Sequence, residues 1–258
     1  MTVALGITTM NRPAYFKALA KSVYRHLDVN VYVYNDGSDP KHTARYEAAY
    51  KLLPHAFVDH ANENRGVAFA KNELLRRMLR ETNADWLFLA EDDMRVTSPD
   101  AIDGYIRACN VSGLHHLSFA HHGPANAPGP VATDDNLDYF FHIIGSWCIY
   151  SRECIEAVGP FDENFHNAWE HVEHSARIAA RGFTTPPYQW ADAKGSREWI
   201  AEQDGAIANS SIRPGGDHEA NKRNGLRYWR DTKPETFAMM FGPGTPLHQF
   251  AMSLLEGV

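Results

Sequence analysis

The chain has no G-x-G-x-x-G turn and no Walker A segment, which removes the commonest glycine-rich cradles for dinucleotides and nucleoside triphosphates. No apolar run approaches the roughly 18 residues that a membrane-spanning helix needs. The opening MTVALGITTMNRP lacks a basic stretch and a long apolar core, so it does not read as a signal peptide. Cysteine is scarce. Cys109, Cys148 and Cys154 make an odd set with no C-x-x-C spacing, which argues against a disulfide framework and for free thiols in the cytoplasm. Positive charge is in deficit: 25 Lys and Arg against 32 Asp and Glu leave a net charge of −7, which argues against a general nucleic-acid coat protein.

What is present is a chain of 258 residues, long enough for a large core, with 44% hydrophobic and 22% charged residues as in ordinary globular proteins. Two basic islands stand out. Arg65, Lys71, Arg76, Arg77 and Arg80 face Glu73 alone, and Arg213, Lys222, Arg223, Arg227, Arg230 and Lys233 face Asp217, Glu219 and Asp231. Each reads equally as a local anion site or a solvated helix face.

The element pattern begins with VALGIT as a buried strand and a helix opened by Asn11, Arg12 and Pro13, with Phe16, Leu19, Ala20, Val23 and Leu27 on one face. VNVYVYND alternates like a strand and stops at the turn cluster NDGSDP. A helix over 41–53, a short strand AFVDHA, a helix carrying Val67, Ala70, Leu74, Leu75 and Met78, and the strand DWLFLA follow. Another helix starts near Ser98 and Pro99. This alternation predicts an α/β fold with a mostly parallel sheet flanked by helices. Beyond residue 110 the pattern loosens into a strand-like HHLSFAHH, a long loop, the strand-like YFFHIIGSWCIYS and a helix in WEHVEHSARIAARG, and the last 70 residues read as irregular.

The segment WLFLAEDDMRV runs a buried strand into three consecutive carboxylates, Glu91, Asp92 and Asp93. TTMNR, NDGSD, NENRG and EDD all fall at predicted strand ends, where ligands of open α/β sheets bind. A divalent cation would make three clustered carboxylates tolerable, and hard oxygen ligands suit Mg²⁺ or Mn²⁺.

Six segments in order, GITTMNRPAYFKALAKSV, VYNDGSDP, ENRGVAFAKNELL, FLAEDDMRV, IGSWCIYSRECIEAVGPFDENF and WEHVEHSARIAARG, resemble the family 2 glycosyltransferases of the GT-A fold over residues 3–183, with weaker echoes to 233. The resemblance implies a single GT-A domain: a nucleotide-sugar half over 1–110, an acceptor and catalytic half over 111–190, and a lid or acceptor region over 191–258. It implies a nucleotide-sugar donor, most often UDP-linked, and an acceptor hydroxyl on a saccharide or glycoconjugate. Asp36 would contact the base, Thr8, Arg12 and Arg65 would line the nucleotide pocket, Asp92 would face the ribose, and Asp93, with Glu91, would hold the metal.

An inverting transfer needs a general base. The family's E-D pair reads Glu170-His171 here, so the expected aspartate is missing and either residue can fill the role. Glu173 lies one turn on. The segment also resembles the W-G-x-E helix of galactosyl- and N-acetylgalactosaminyltransferases, some of which retain configuration. His218 is a candidate metal ligand, and Arg223, Tyr228 and Lys233 are candidates to close over a diphosphate. A nucleotidyltransferase is disfavoured because ITTMNRP supplies no glycine-rich loop, and zinc because His115 and His116 lie at the far end of a short strand from His121 and His122. A hydroxylated DNA base or a protein side chain as acceptor, and a non-catalytic binding relative, remain alternatives.

Overall fold

The computed structural model describes residues 2–210 and 217–256. The first half runs β1 (Val3–Thr9), α1 (Pro13–His26), β2 (Asn30–Asn35), α2 (Thr43–Tyr50), β3 (Phe57–His60), α3 (Val67–Glu81), β4 (Trp86–Glu91), β5 (Met94–Val96) and α4 (Asp100–Ser112). Then follow β6 (His116–Ser118), β7 (Ala132–Thr133), β8 (Leu137–Phe140), β9 (Trp147–Ser151), α5 (Arg152–Val158) and α6 (Glu170–Ala180). The chain ends with β10 (Trp190–Ala193), α7 (Ser196–Trp199), β11 (Ile200–Glu202), α8 (Asp217–Thr232), α9 (Pro234–Phe241) and α10 (His248–Glu256).

The main sheet has the order β3-β2-β1-β4-β9-β6. The first four strands are parallel, and β9 runs antiparallel to both its neighbours. The chain winds outward from β1 to β3, then α3 carries it back to β4 on the other side of β1. That reversal opens a crevice at the carboxyl ends of β1 and β4, the position at which such sheets bind ligands. The register sets Thr8 beside Glu91 there.

Strand alternation sends Leu5, Ile7, Val31, Val33 and Phe88 to one face, under α1, α2 and α4. The other face carries Ala4, Tyr32, Leu87 and Leu89 under α3, α5 and α6. Gly6 permits a close approach: a Cβ there would lie 3.0 Å from Leu89 and 3.1 Å from Leu74 of α3.

The strand-like YFFHIIGSWCIYS divides into the end of β8 and all of β9, with 141–146 as a loop between them. The chain beyond 190, read as irregular, is largely helical instead. The helices α8, α9 and α10 build a third core from Leu226, Trp229, Phe237, Met240, Phe241, Ala251 and Leu255, set against Phe165 and Trp190. Trp190 and Trp229 are therefore core residues, and Trp147 is one in the core under α1, α2 and α4. No helix among the described residues is long and apolar enough to cross a membrane.

Candidate active site

The acidic turn after β4 is held in place rather than solvated. Asp92 is 1% and Asp93 4% exposed. The Glu91 N–H donates to the Ser146 carbonyl at 2.8 Å. Gln203, just after β11, donates its N–H to the Asp93 carbonyl at 2.8 Å, and its Nε2 lies 2.8–3.1 Å from the carbonyls of Met94, Asp92 and Tyr15.

Protein cations answer the three carboxylates. Arg12, at the start of α1, places NH1 3.0 Å from Asp93 Oδ2 and pairs NH2 with Asp92 Oδ1. Lys71 of α3 sets Nζ 3.0 Å from Glu91 Oε1 and 3.7 Å from Glu170 Oε1, and donates to the Gly145 carbonyl at 3.1 Å. His122 brings Nε2 to 3.3 Å from Asp93 Oδ2 and 3.8 Å from Glu202. Arg12 and Lys71 thus already offset part of the repulsion that a divalent cation was expected to neutralise.

Burial sets the proton affinities. It lifts the Asp92 carboxyl to about 7 despite Arg12, although the Thr9 hydroxyl donates to Oδ2 at 2.6 Å. For Asp93 burial pushes upward too, but His122 and Arg12 outweigh it and hold the group below the ordinary carboxylate range. Burial would lower the His122 imidazole, yet Asp93 raises it. Glu170 is pushed up by burial and then drawn down to about 2 by His171 and Lys71.

Two connected spaces meet at this turn. A cavity of about 470 Å³ is bounded by Glu91, Asp93, His122, Glu170, His171 and His218, among others. A narrow cleft beside it is lined by Thr8, Asp36, Asn64 and Asp92, and both spaces share Arg12, Val67, Glu91 and Asn167. Asp36 is pinned at the cleft by the N–H groups of Arg65 and Gly66, each at 2.9 Å. Asn167 adopts the left-handed region, φ +58°, and its Oδ1 accepts from the Val67 N–H at 3.3 Å, tying the loop before α6 to the start of α3.

The crevice thus brings together Thr8, Arg12, Asp36, Glu91, Asp92, Asp93, Glu170, His171 and His218. Arg65 contributes its backbone, while its guanidinium lies 3.5 Å over the Phe69 ring. Lys233 stands apart: because Trp229 anchors α8 in the third core, Lys233 pairs instead with Asp162 and, at 3.0 Å, with Glu173. Glu173 is fully buried and bound by Arg177 at 2.7 Å, a structural pair. Arg213 lies outside the described residues. Sequence reasoning missed the roles of Lys71, His122, Gly145, Asn167 and Gln203, although ENRGVAFAKN and IGSW contain two of them.

Among the described residues no three His, Cys, Asp or Glu side chains form a ready-made metal cage. Asp93 Oδ1, however, is buried without a hydrogen-bond partner. That donor set fits Mg²⁺ or Mn²⁺, which use one or two carboxylates and complete their shell with substrate phosphates.

No family model and no curated protein sequence matches the chain. Solved structures do. The chain is similar to residues 1–349 of TarS from S. aureus at TM-score 0.56 and 12% identity, covering 100% of this chain and 79% of that one. The same TarS segment in complex with UDP-GlcNAc gives TM-score 0.59 at 11% identity, covering 99% and 70%. The mannosyltransferase PcManGT from Pyrobaculum calidifontis, in complex with GDP-Man and Mn²⁺, gives TM-score 0.60 at 14% identity, covering 98% and 68%. The chain thus shares the GT-A fold of these glycosyltransferases, the fold that the sequence resemblance implied.

Proposed function

We propose that the protein is a metal-dependent glycosyltransferase that moves a sugar from a nucleotide-sugar, a UDP-sugar first among them, to an acceptor hydroxyl with inversion. The observation that carries this reading is one crevice in which a narrow cleft at Asp36 opens, past Asp92 and Asp93, into a larger cavity walled by Glu170 and His171. The cleft suits a nucleoside, with Asp36 toward the base, Asp92 toward the ribose, and Thr8 and the Arg65 main chain alongside. A Mg²⁺ or Mn²⁺ ion held by Asp93 and Glu91, with His218 on the same cavity wall, would stabilise the charge that grows on the departing diphosphate. Arg12 and Lys222 line the same cavity and add positive potential for that charge. The base comes from the Glu170–His171 pair. The GDP-Man, UDP-GlcNAc and Mn²⁺ complexes of structurally similar proteins support a nucleotide-sugar donor and a divalent ion. The acceptor in this reading is a saccharide or glycoconjugate; a protein side chain or a hydroxylated DNA base would use the same chemistry.

A thermal-shift screen of UDP-, GDP- and dTDP-sugars with and without Mn²⁺ tests this. At least one donor is expected to stabilise the protein in a Mn²⁺-dependent way, and Asp93→Ala to abolish that effect. Unchanged stabilisation of Asp93→Ala overturns the metal assignment.

A further inference from the structure

We propose that His171, rather than Glu170, takes the acceptor's proton, and that Glu170, Lys71 and Gly145 are positioning residues that fix the imidazole for that step. The inference rests on the transfer reading above and divides the work within its site.

The two side chains sit in different environments. Glu170, the first residue of α6, has its side chain only 7% exposed, whereas the His171 side chain is 26% exposed on the cavity wall. His171 Nδ1 lies 3.1 Å from Glu170 Oε1. An ionised carboxylate can only accept, so Nδ1 carries the hydrogen and Nε2 holds the bare lone pair. Nε2 has no hydrogen-bond partner among the described residues. Glu170 is in turn committed to its neighbours, His171 and the buried Lys71 ammonium at 3.7 Å. Held down to about 2, it is a weak proton acceptor at neutral pH.

Gly145 touches both His171 and Lys71. Its carbonyl accepts from Lys71 Nζ at 3.1 Å, and a Cβ at this position would lie 2.7 Å from His171 Cγ and 2.9 Å from Nδ1. The imidazole therefore packs against bare backbone, and the same residue anchors the lysine that steadies Glu170. The arrangement gives a physical reason for histidine where the resembling family has aspartate. The carboxylate at 170 orients the imidazole, as the aspartate orients histidine in hydrolytic triads.

In the step itself the acceptor O–H proton passes to Nε2 as the oxygen forms its bond to the sugar's anomeric carbon. The bond from that carbon to the diphosphate oxygen breaks, and its electron pair leaves with the diphosphate.

Two readouts test the assignment. The first is ¹⁵N NMR of histidine-labelled protein at about pH 8, above the ordinary imidazole range. His171, identified by its loss in His171→Gln, is expected as the Nδ1–H tautomer, and to move toward Nε2–H in Glu170→Leu. A wild-type Nε2–H tautomer overturns the proposal. The second is release of UDP or GDP from a panel of UDP-glucose, UDP-GlcNAc and GDP-mannose with Mn²⁺, water serving as the acceptor whose O–H proton is taken. His171→Ala is expected to lose about 10²–10⁴-fold in rate, to keep the donor's thermal shift, and to regain activity with added imidazole, while Glu170→Gln keeps more activity than His171→Ala. Donor binding with full activity in His171→Ala overturns this assignment alone. No donor-induced shift in the wild type overturns the transfer reading, and the assignment with it.

Discussion

Replacing Lys71 with methionine tests whether the site's carboxylates depend on this buried ammonium. Lys71 is 1% exposed, and methionine keeps most of the apolar stem while removing the charge. Glu91, whose Oε1 is 3.0 Å from Nζ, then loses its partner, and Glu170, at 3.7 Å, loses one of two and keeps His171. Glu170 is drawn from 4.5 to about 2 despite burial. At about 1.36 kcal/mol per pH unit, that depression corresponds to about 3 kcal/mol, shared between His171 and Lys71. Removing one partner of a buried pair costs about 3–5 kcal/mol. We expect Lys71→Met to lose about 3 kcal/mol near neutral pH, which lowers Tm by about 6–12 °C for a chain of this size. The pH dependence has a definite sign. A depressed carboxylate stabilises the folded state above its unfolded value and loses that contribution as pH falls through the folded one. The gap between wild type and Lys71→Met should therefore be full above about pH 5 and narrow between 4.5 and about 2. Urea denaturation across that range reads it out. An unchanged midpoint, or a gap that stays constant down to the acid end, refutes the reasoning.

Other outcomes follow from the same geometry. Arg12→Ala leaves Asp92 and Asp93 without their shared guanidinium, so Mn²⁺ alone should raise its Tm more than that of the wild type; equal responses in a thermal-shift assay would place the cation elsewhere. Gly145→Ala should displace the His171 ring, cutting transfer by at least about tenfold while donor-induced stabilisation persists, and wild-type turnover would show that the ring tolerates a methyl group there.

Much of this was legible in the sequence, for identifiable reasons. The first half of the sheet showed because each amphipathic helix keeps its apolar residues on one face, as Phe16, Leu19, Ala20 and Val23 do on α1. The crevice showed because polar clusters recur at successive strand ends, and parallel strands bring all such ends to one rim. The order of the strands beyond β4 did not show: β9 is inserted antiparallel between β4 and β6, a pairing set by long-range packing. The C-terminal helices stayed hidden because α8 carries only a few apolar residues, Leu226 and Trp229 above all, among charges, and gains its burial from α9 and α10. Lys71 was read within a basic island as either an anion site or a solvated face. Its neighbours Arg76, Arg77 and Arg80 do pair at the surface with Glu73, Asp59 and Glu81, while Lys71 alone turns inward to Glu91 and Glu170. The arginines fit the solvated-face reading, whereas Lys71 is a buried partner of the chain's own carboxylates, which periodicity does not reveal. His122 lies in a loop, and only the folded chain shows it beside Asp93.

The central claim is that the acidic turn after β4 and the cleft at Asp36 hold a nucleoside diphosphate together with a divalent ion. A crystal of the protein soaked with UDP and Mn²⁺ tests it most directly. We expect anomalous manganese density at Asp93 Oδ1, the diphosphate beside it and the uracil at Asp36; an empty crevice, or a nucleotide bound away from both carboxylates, would contradict this.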